Sequence, residues 1–330
     1  MSAPRARPTI ALDGPGRRSG QLVLPWSRND SGWGALHVPF GVLSNGSGPT
    51  LLLTGGSHGD EIEGPLALFD LFRTLDLARL SGTVFVLPAL NAPAVRAGLR
   101  LSPIDGGNMN RAFRRRRDGT LTEQIADFVE AELVARADAV LDIHSGGRTM
   151  MFHPFAVSHL LASADQTARA RAALLAFGAP VGLMLTELDN EGMLDTAVEE
   201  AGKLFLSTEL GGGGSTTPAM LAIARRGILN LMIHLGMLDL PPQPPPTPTR
   251  LMTNDAAGYL ASERGGMAEY LVELGSEVRR GAALLRLYDL DRLDAAPEEL
   301  AAPADGVLLG RLHGGVVRPG DFLALIARDL

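Results

Sequence analysis

His58 and Glu61 stand three residues apart in "GGSHGDEIEGP", Gly55 to Pro65, directly after the apolar run "TLLLT". A histidine nitrogen and a carboxylate oxygen at ~2.0 to 2.2 Å suit zinc, and a catalytic zinc takes three protein ligands and keeps one position for water. His144 in "LDIHSGG" supplies a third ligand at the end of another apolar run. Asp142, two residues earlier, shares its strand face. It reads as a carboxylate that fixes the tautomer of a ligand histidine, His58 rather than its strand neighbour. Taken singly, each of these residues reads as an ordinary polar turn or strand end; their grouping is what points to a metal. Glu209, which closes the run before "GGGG", is a carboxylate able to act as base and then acid, with Glu187 in "LTELDNEG" the competing candidate. Asn110 and Arg111 pair an amide with a planar bidentate donor, a combination suited to a substrate carboxylate. Either Arg96 or Arg100 is placed to meet a polarised carbonyl oxygen. The run Arg114 to Arg117 reads as solvated surface. No Gly-Lys-Ser/Thr follows the glycine run, which argues against a phosphate cradle, and Lys203 is the only lysine.

The composition narrows the chemistry. With 330 residues, 45% hydrophobic, the chain can bury a large core. A formal net charge of -7 argues against a nucleic-acid partner and for a small molecule. There is no cysteine, so a metal must be held by His, Asp and Glu. The opening "MSAPRARPTIALDGPG" has no apolar stretch of signal-peptide length, and no segment approaches ~18 uninterrupted apolar residues. A cytoplasmic protein with no membrane partner is expected, with homo-oligomerisation left open.

Those side chains need a scaffold. "TLLLT", "TVFVLPAL", "AVLDIHS" and "KLFLSTEL" read as buried strands. Between them, a helix with Pro65 as its first residue carries Leu68, Phe72 and Leu75 on one face. A second opens on Thr120 and Glu123 at capping-box spacing and shows Ile125, Val129 and Leu133 on one face. Alternation of this kind predicts an α/β sheet flanked by helices, with ligands bound beyond the carboxyl ends of its strands. The proline tract "PPQPPPTPT" predicts a linker over 241–250, separating a catalytic α/β domain (1–240) from a β-rich domain (251–330) in which turn signals are frequent.

"HGDE", "NMNRAF", "DIHSGG" and "TELGGGG", in this order, resemble the succinylglutamate desuccinylase/aspartoacylase family, a branch of the zinc carboxypeptidase-like amidohydrolases. Within it, "LPALNAPAVRAG" and "SPIDGGNMNR" look most like the branch that deacetylates N-acetyl-L-2,4-diaminobutyrate in ectoine degradation. The resemblance implies a zinc-carboxypeptidase-like mixed sheet. It also implies one zinc ion per chain on His58, Glu61 and His144, Glu209 as general base, Asn110 and Arg111 on the substrate carboxylate, and Arg100 on the carbonyl. Many relatives continue Phe-Pro-Gly after the Asn-Arg pair, whereas Phe113 is followed here by Arg114 and Arg115. The C-terminal part looks like a lipoyl- or biotinyl-type barrel-sandwich; no lysine follows Lys203, so a structural use is expected rather than a carrier.

The reading is a zinc-dependent amidohydrolase that removes a small acyl group, acetyl by best match, from an amino acid with a free carboxylate. Two alternatives stand beside it within the hydrolases: a desuccinylase or aspartoacylase acting on another N-acyl amino acid, and a carboxypeptidase. A non-catalytic metal-binding module ranks last, because it predicts a missing ligand or base.

Overall fold

The runs Leu51–Leu53, Val84–Leu87 and Ala139–Leu141 are apolar at successive positions, so both faces of their strands must be covered. The computed structural model describes residues 5–114, 118–186 and 189–330. The strands Thr50–Gly55, Gly82–Leu87, Ala139–His144 and Leu204–Glu209 form the middle of a mixed sheet. Thr50–Gly55 lies parallel to both Gly82–Leu87 and Ala139–His144, and Ala139–His144 is parallel to Leu204–Glu209. Phe155–His159 then enters antiparallel beside Leu204–Glu209. The four strands match the expected runs, and the mixed α/β class expected from the sequence is the one observed.

Side chains alternate between two cores. Leu51, Leu53, Leu141 and Leu206 pack with the helices Glu63–Thr74, Ala164–Phe177 and Pro218–His234. Leu52, Val140 and Phe205 face the other way, onto Ile125, Val129, Leu133 and Val198. Leu51, Leu52 and Leu53 are all fully buried, worth ~1.5 to 3 kcal/mol each. Helix Leu121–Phe128 opens on the expected capping box: Thr120 Oγ1 accepts from the Glu123 N–H and Glu123 Oε2 accepts from the Thr120 N–H. Helix Glu63–Thr74 begins two residues before Pro65. First-turn N–H groups have no intrahelical acceptor, so proline is tolerated anywhere in that turn.

The proline tract crosses the surface without regular structure and is tied down by Asn230, whose buried amide donates to the Gln243 carbonyl and accepts from its N–H, both at 2.8 Å. Beyond it, Arg250–Thr253 joins the large sheet parallel to Val181–Leu185, and Phe322–Asp329 and Gly306–Leu312 extend it antiparallel. A second, four-stranded antiparallel sheet contains Gly266–Tyr270 and Ala283–Tyr288. Among the described residues, no helix is long and apolar enough to cross a membrane.

Helix Pro218–His234 approaches Ala164–Phe177 closely because Gly227 lies under the Phe177 ring, where a Cβ would sit 2.2 Å from Cζ. Phe177 is fully buried and has nowhere to move. Gly227→Ala gains ~1 kcal/mol of helix propensity, but the overpacking outweighs it, and a net stability loss of up to ~3 kcal/mol is expected. Urea unfolding checks this: the midpoint should fall at constant slope, and an unchanged or raised midpoint would show that the contact is not tight.

Candidate metal centre and active site

Period-2 alternation carries one face of the sheet from apolar to polar at the carboxyl ends of its strands. Leu52 gives way to Thr54, Val140 to Asp142 and His144, and Phe205 to Ser207 and Glu209. Register places them side by side: Thr54 opposite Asp142, Asp142 opposite Ser207, and His144 opposite Glu209. The loop after Gly55 then folds over this patch and delivers His58 and Glu61. Gly59 allows the approach, because a Cβ there would lie 2.0 Å from the Ala94 carbonyl group, and its N–H donates to the Leu99 carbonyl at 2.9 Å. Asp60 ties the loop to the turn after His144 by accepting the Arg148 N–H at 2.8 Å.

The ligand atoms of His58, Glu61 and His144 all lie within 4.8 Å of one another, and all three residues are buried. Glu61 bridges the histidines: Oε1 is 2.6 Å from His58 Nδ1 and Oε2 is 2.7 Å from His144 Nδ1. Each histidine's other nitrogen is also held. His144 Nε2 donates to Asp142 Oδ2 at 2.8 Å. His58 Nε2 faces Asn108 Oδ1 at 3.1 Å, an atom that also accepts the Asn110 N–H. Both rings therefore have an acceptor on either side. A neutral imidazole offers one N–H, so something positive must stand between each Nδ1 and Glu61: a proton or a cation. Without a cation, burial works against a charged His144, but the Asp142 and Glu61 carboxylates outweigh it and hold its pKa well above the ordinary value. Burial likewise opposes ionisation of Glu61, and the two histidines override it, leaving its pKa well below the usual range. A two-nitrogen, one-carboxylate donor set with outer nitrogens already engaged fits a divalent cation such as zinc.

The sequence assignment of Asp142 to His58 is corrected here. Residues two apart on one strand face are neighbours, so Asp142 reaches His144, and its other contacts come from the Thr54 and Ser57 hydroxyls. Burial opposes its charge, while His144 and these hydroxyls lower its pKa. His58's outer nitrogen goes instead to Asn108, which sequence reasoning missed. The signal was present in "GGNMN", where an asparagine precedes a short 3₁₀ turn that it caps.

Glu209 stands beside this group in a cavity of about 350 Å³. Its Oε2 is buried without a hydrogen-bond partner among the described residues. Burial first, and the negative Glu61 second, push its pKa up to about 8. Arg100 reaches in from the side, 3.3 Å from His58 Nδ1 and 3.4 Å from Glu61 Oε1. Arg96 instead donates to the His37 carbonyl, so of the two arginines only Arg100 is brought to the centre. Asn110 and Arg111 also line the cavity. Glu187 lies outside the described residues, as do Arg115, Arg116 and Arg117. Apolar walls come from Phe152, Phe155 and Val157 and, from the C-terminal part, from Tyr259, Phe322 and Leu325. No local motif singles out these last three residues, because the wall is contributed across long chain distances.

Residues 47–235 match the succinylglutamate desuccinylase/aspartoacylase catalytic domain. The N-alpha-acetyl-L-2,4-diaminobutyric acid deacetylase of Halomonas elongata is 47% identical over 320 residues, covering 97% of this chain and 94% of its own. Among solved structures, the product-bound ectoine utilization protein EutE (DoeB) from Ruegeria pomeroyi superposes with a TM-score of 0.96 at 44% identity, covering 99% of this chain and all of that one. A succinylglutamate desuccinylase from Silicibacter sp. gives 0.95 at 44% identity, with full coverage of both chains. The order of motifs, the mixed sheet and these matches agree: the chain belongs to the succinylglutamate desuccinylase/aspartoacylase family.

Proposed function

We propose that the protein is a zinc-dependent amidohydrolase that removes an acetyl group from Nα-acetyl-L-2,4-diaminobutyrate, a step of ectoine degradation. The observation that carries this reading is the meeting, in one cavity, of the His58–Glu61–His144 cluster, the Glu209 carboxyl, whose buried Oε2 has no hydrogen-bond partner among the described residues, and Arg111. The 47% identical deacetylase and the ectoine utilization structure support the choice of substrate. A cavity of about 350 Å³ walled by Tyr259, Phe322 and Leu325 suits a small N-acyl amino acid better than a polypeptide.

His58, Glu61 and His144 would hold the zinc, which supplies Lewis-acid polarisation of the amide carbonyl and a more acidic water. Arg111, with Asn110 beside it, binds the substrate carboxylate and so fixes where the amide lies. Arg100 donates to the carbonyl oxygen as it gains negative charge. Glu209 takes a proton from the attacking water. As the tetrahedral intermediate collapses it returns that proton to the departing nitrogen, leaving acetate and a free amine. An acid with a raised pKa is well matched to giving the proton back; it must first be ionised to take it. Asp142 and Asn108 hold the two histidines with their Nδ1 atoms turned inward.

Three outcomes are expected. Amine release from a panel of N-acetyl, N-succinyl and N-aspartyl amino acids should be confined to the acetyl-diaminobutyrate type and vanish on chelation; turnover of peptides alone would move the protein to the carboxypeptidases. Glu209→Gln should lower kcat by ~10²- to 10⁴-fold with zinc content unchanged, and normal turnover by this variant would remove Glu209 from the mechanism. Because Glu209 acts ionised, kcat/KM should rise with pH through a limb lying above 4.5 and, with a cation adjacent, below about 8. A limb at or below 4.5 would assign it to another group.

A further inference from the structure

Among the described residues, four carboxylates line the cavity: Glu61, Asp142, Glu209 and Asp195. The first two are committed to the histidines and the third to proton transfer. Asp195 has no part in the hydrolysis, yet it is buried in the wall. It stands at the start of helix Leu194–Glu200, and that helix is docked on the carboxylate-binding turn: the Leu194 N–H donates to Asn110 Oδ1 at 3.3 Å. Asp195 thus follows directly on the residue held by Asn110. A substrate anchored through its carboxylate at Arg111 has its α-carbon nearby, and a short side chain extends only a few ångströms further. An ammonium ending such a side chain loses its water on entering this buried cavity and needs an anion there.

We infer that Asp195 receives the side-chain ammonium of the substrate and sets a preference for N-acyl amino acids with a short cationic side chain. This rests on the amide-hydrolysis reading above. Asp195 Oδ1 also accepts the Thr196 N–H at 2.5 Å and the Thr196 hydroxyl at 3.1 Å, contacts that aim the carboxylate and that an asparagine oxygen can keep.

The experiment compares kcat/KM for Nα-acetyl-L-2,4-diaminobutyrate and Nα-acetyl-L-norvaline, in which a methyl replaces the ammonium, using the zinc-loaded parent, Asp195→Asn and Asp195→Ser. The expected result is a parent preference for the cationic substrate that falls ~10²-fold in both variants, mainly through KM, while norvaline turnover stays within about threefold. Equal losses on both substrates would mark a structural residue and overturn the assignment, as would an undiminished preference. A parent that hydrolyses both substrates equally well overturns Asp195 alone. A parent that hydrolyses neither overturns the amide-hydrolysis reading and the assignment with it.

Discussion

Glu61 sits between two histidines whose outward nitrogens are already bound to acceptors, and this is the constraint around which the rest of the site is arranged. Two lone-pair nitrogens facing one carboxylate at 2.6 and 2.7 Å are stable only with positive charge between them. The buried cluster is therefore tied to whatever supplies that charge. Asp142 and Asn108 enforce the constraint by preventing either ring from solving it through tautomerism. Had the outer nitrogens faced water, each ring could place its single N–H inward and satisfy Glu61 without a cation. Thr54 and Ser57 in turn keep Asp142 ionised, so the arrangement reaches from the loop through the strand ends to the interior.

Delivering these groups needs little beyond the geometry of a sheet. Three adjacent strands change from apolar to polar on one face at the same level, and pairing register aligns Thr54, Asp142, His144, Ser207 and Glu209 within one patch. His58 and Glu61 lie beyond the end of the strand Thr50–Gly55 and so outside this paired patch. The chain supplies them from a loop that crosses the patch, and the loop must lie flat against the Ala92–Ala97 helix to do so. Gly59 makes that contact feasible where any side chain would strike the Ala94 carbonyl. The histidine and acids of Gly55 to Pro65 follow an apolar run because the end of that run is where the cavity begins.

The parts of this arrangement that were legible in the sequence are those written in local chemistry. Continuous apolar runs marked the central strands, and the Thr120–Glu123 spacing marked a helix start, because both signals lie within a few residues. His58, Glu61, His144 and Glu209 stood out by their type at strand ends. A carboxylate at Asp142 is compatible by type with either histidine, and it is the plain proximity of residues two apart on one strand face that gives it to His144. Asn108 was missed because its partner lies fifty residues away. The choice between Arg96 and Arg100 depended on how the chain turns after the helix Ala92–Ala97, which holds Arg96 in its last turn and ends before Arg100; spacing alone does not determine that turn.

The C-terminal part shows the same limit and its consequence. Its pattern resembled a carrier fold without a carrier lysine, and the chain's one lysine has a different use: Lys203 Nζ donates to the Val134, Ala135 and Ala137 carbonyls at a helix end. What the C-terminal strands contribute to the site is apolar surface. Tyr259, Phe322 and Leu325 close one side of the cavity that holds Glu209. Burial is also the first cause of that carboxyl's raised pKa, ahead of the charge on Glu61. A wall that excludes water limits the size of molecule that enters, and the same exclusion of water favours the protonated form of a buried carboxyl such as Glu209, the property that the proposed proton transfer calls for.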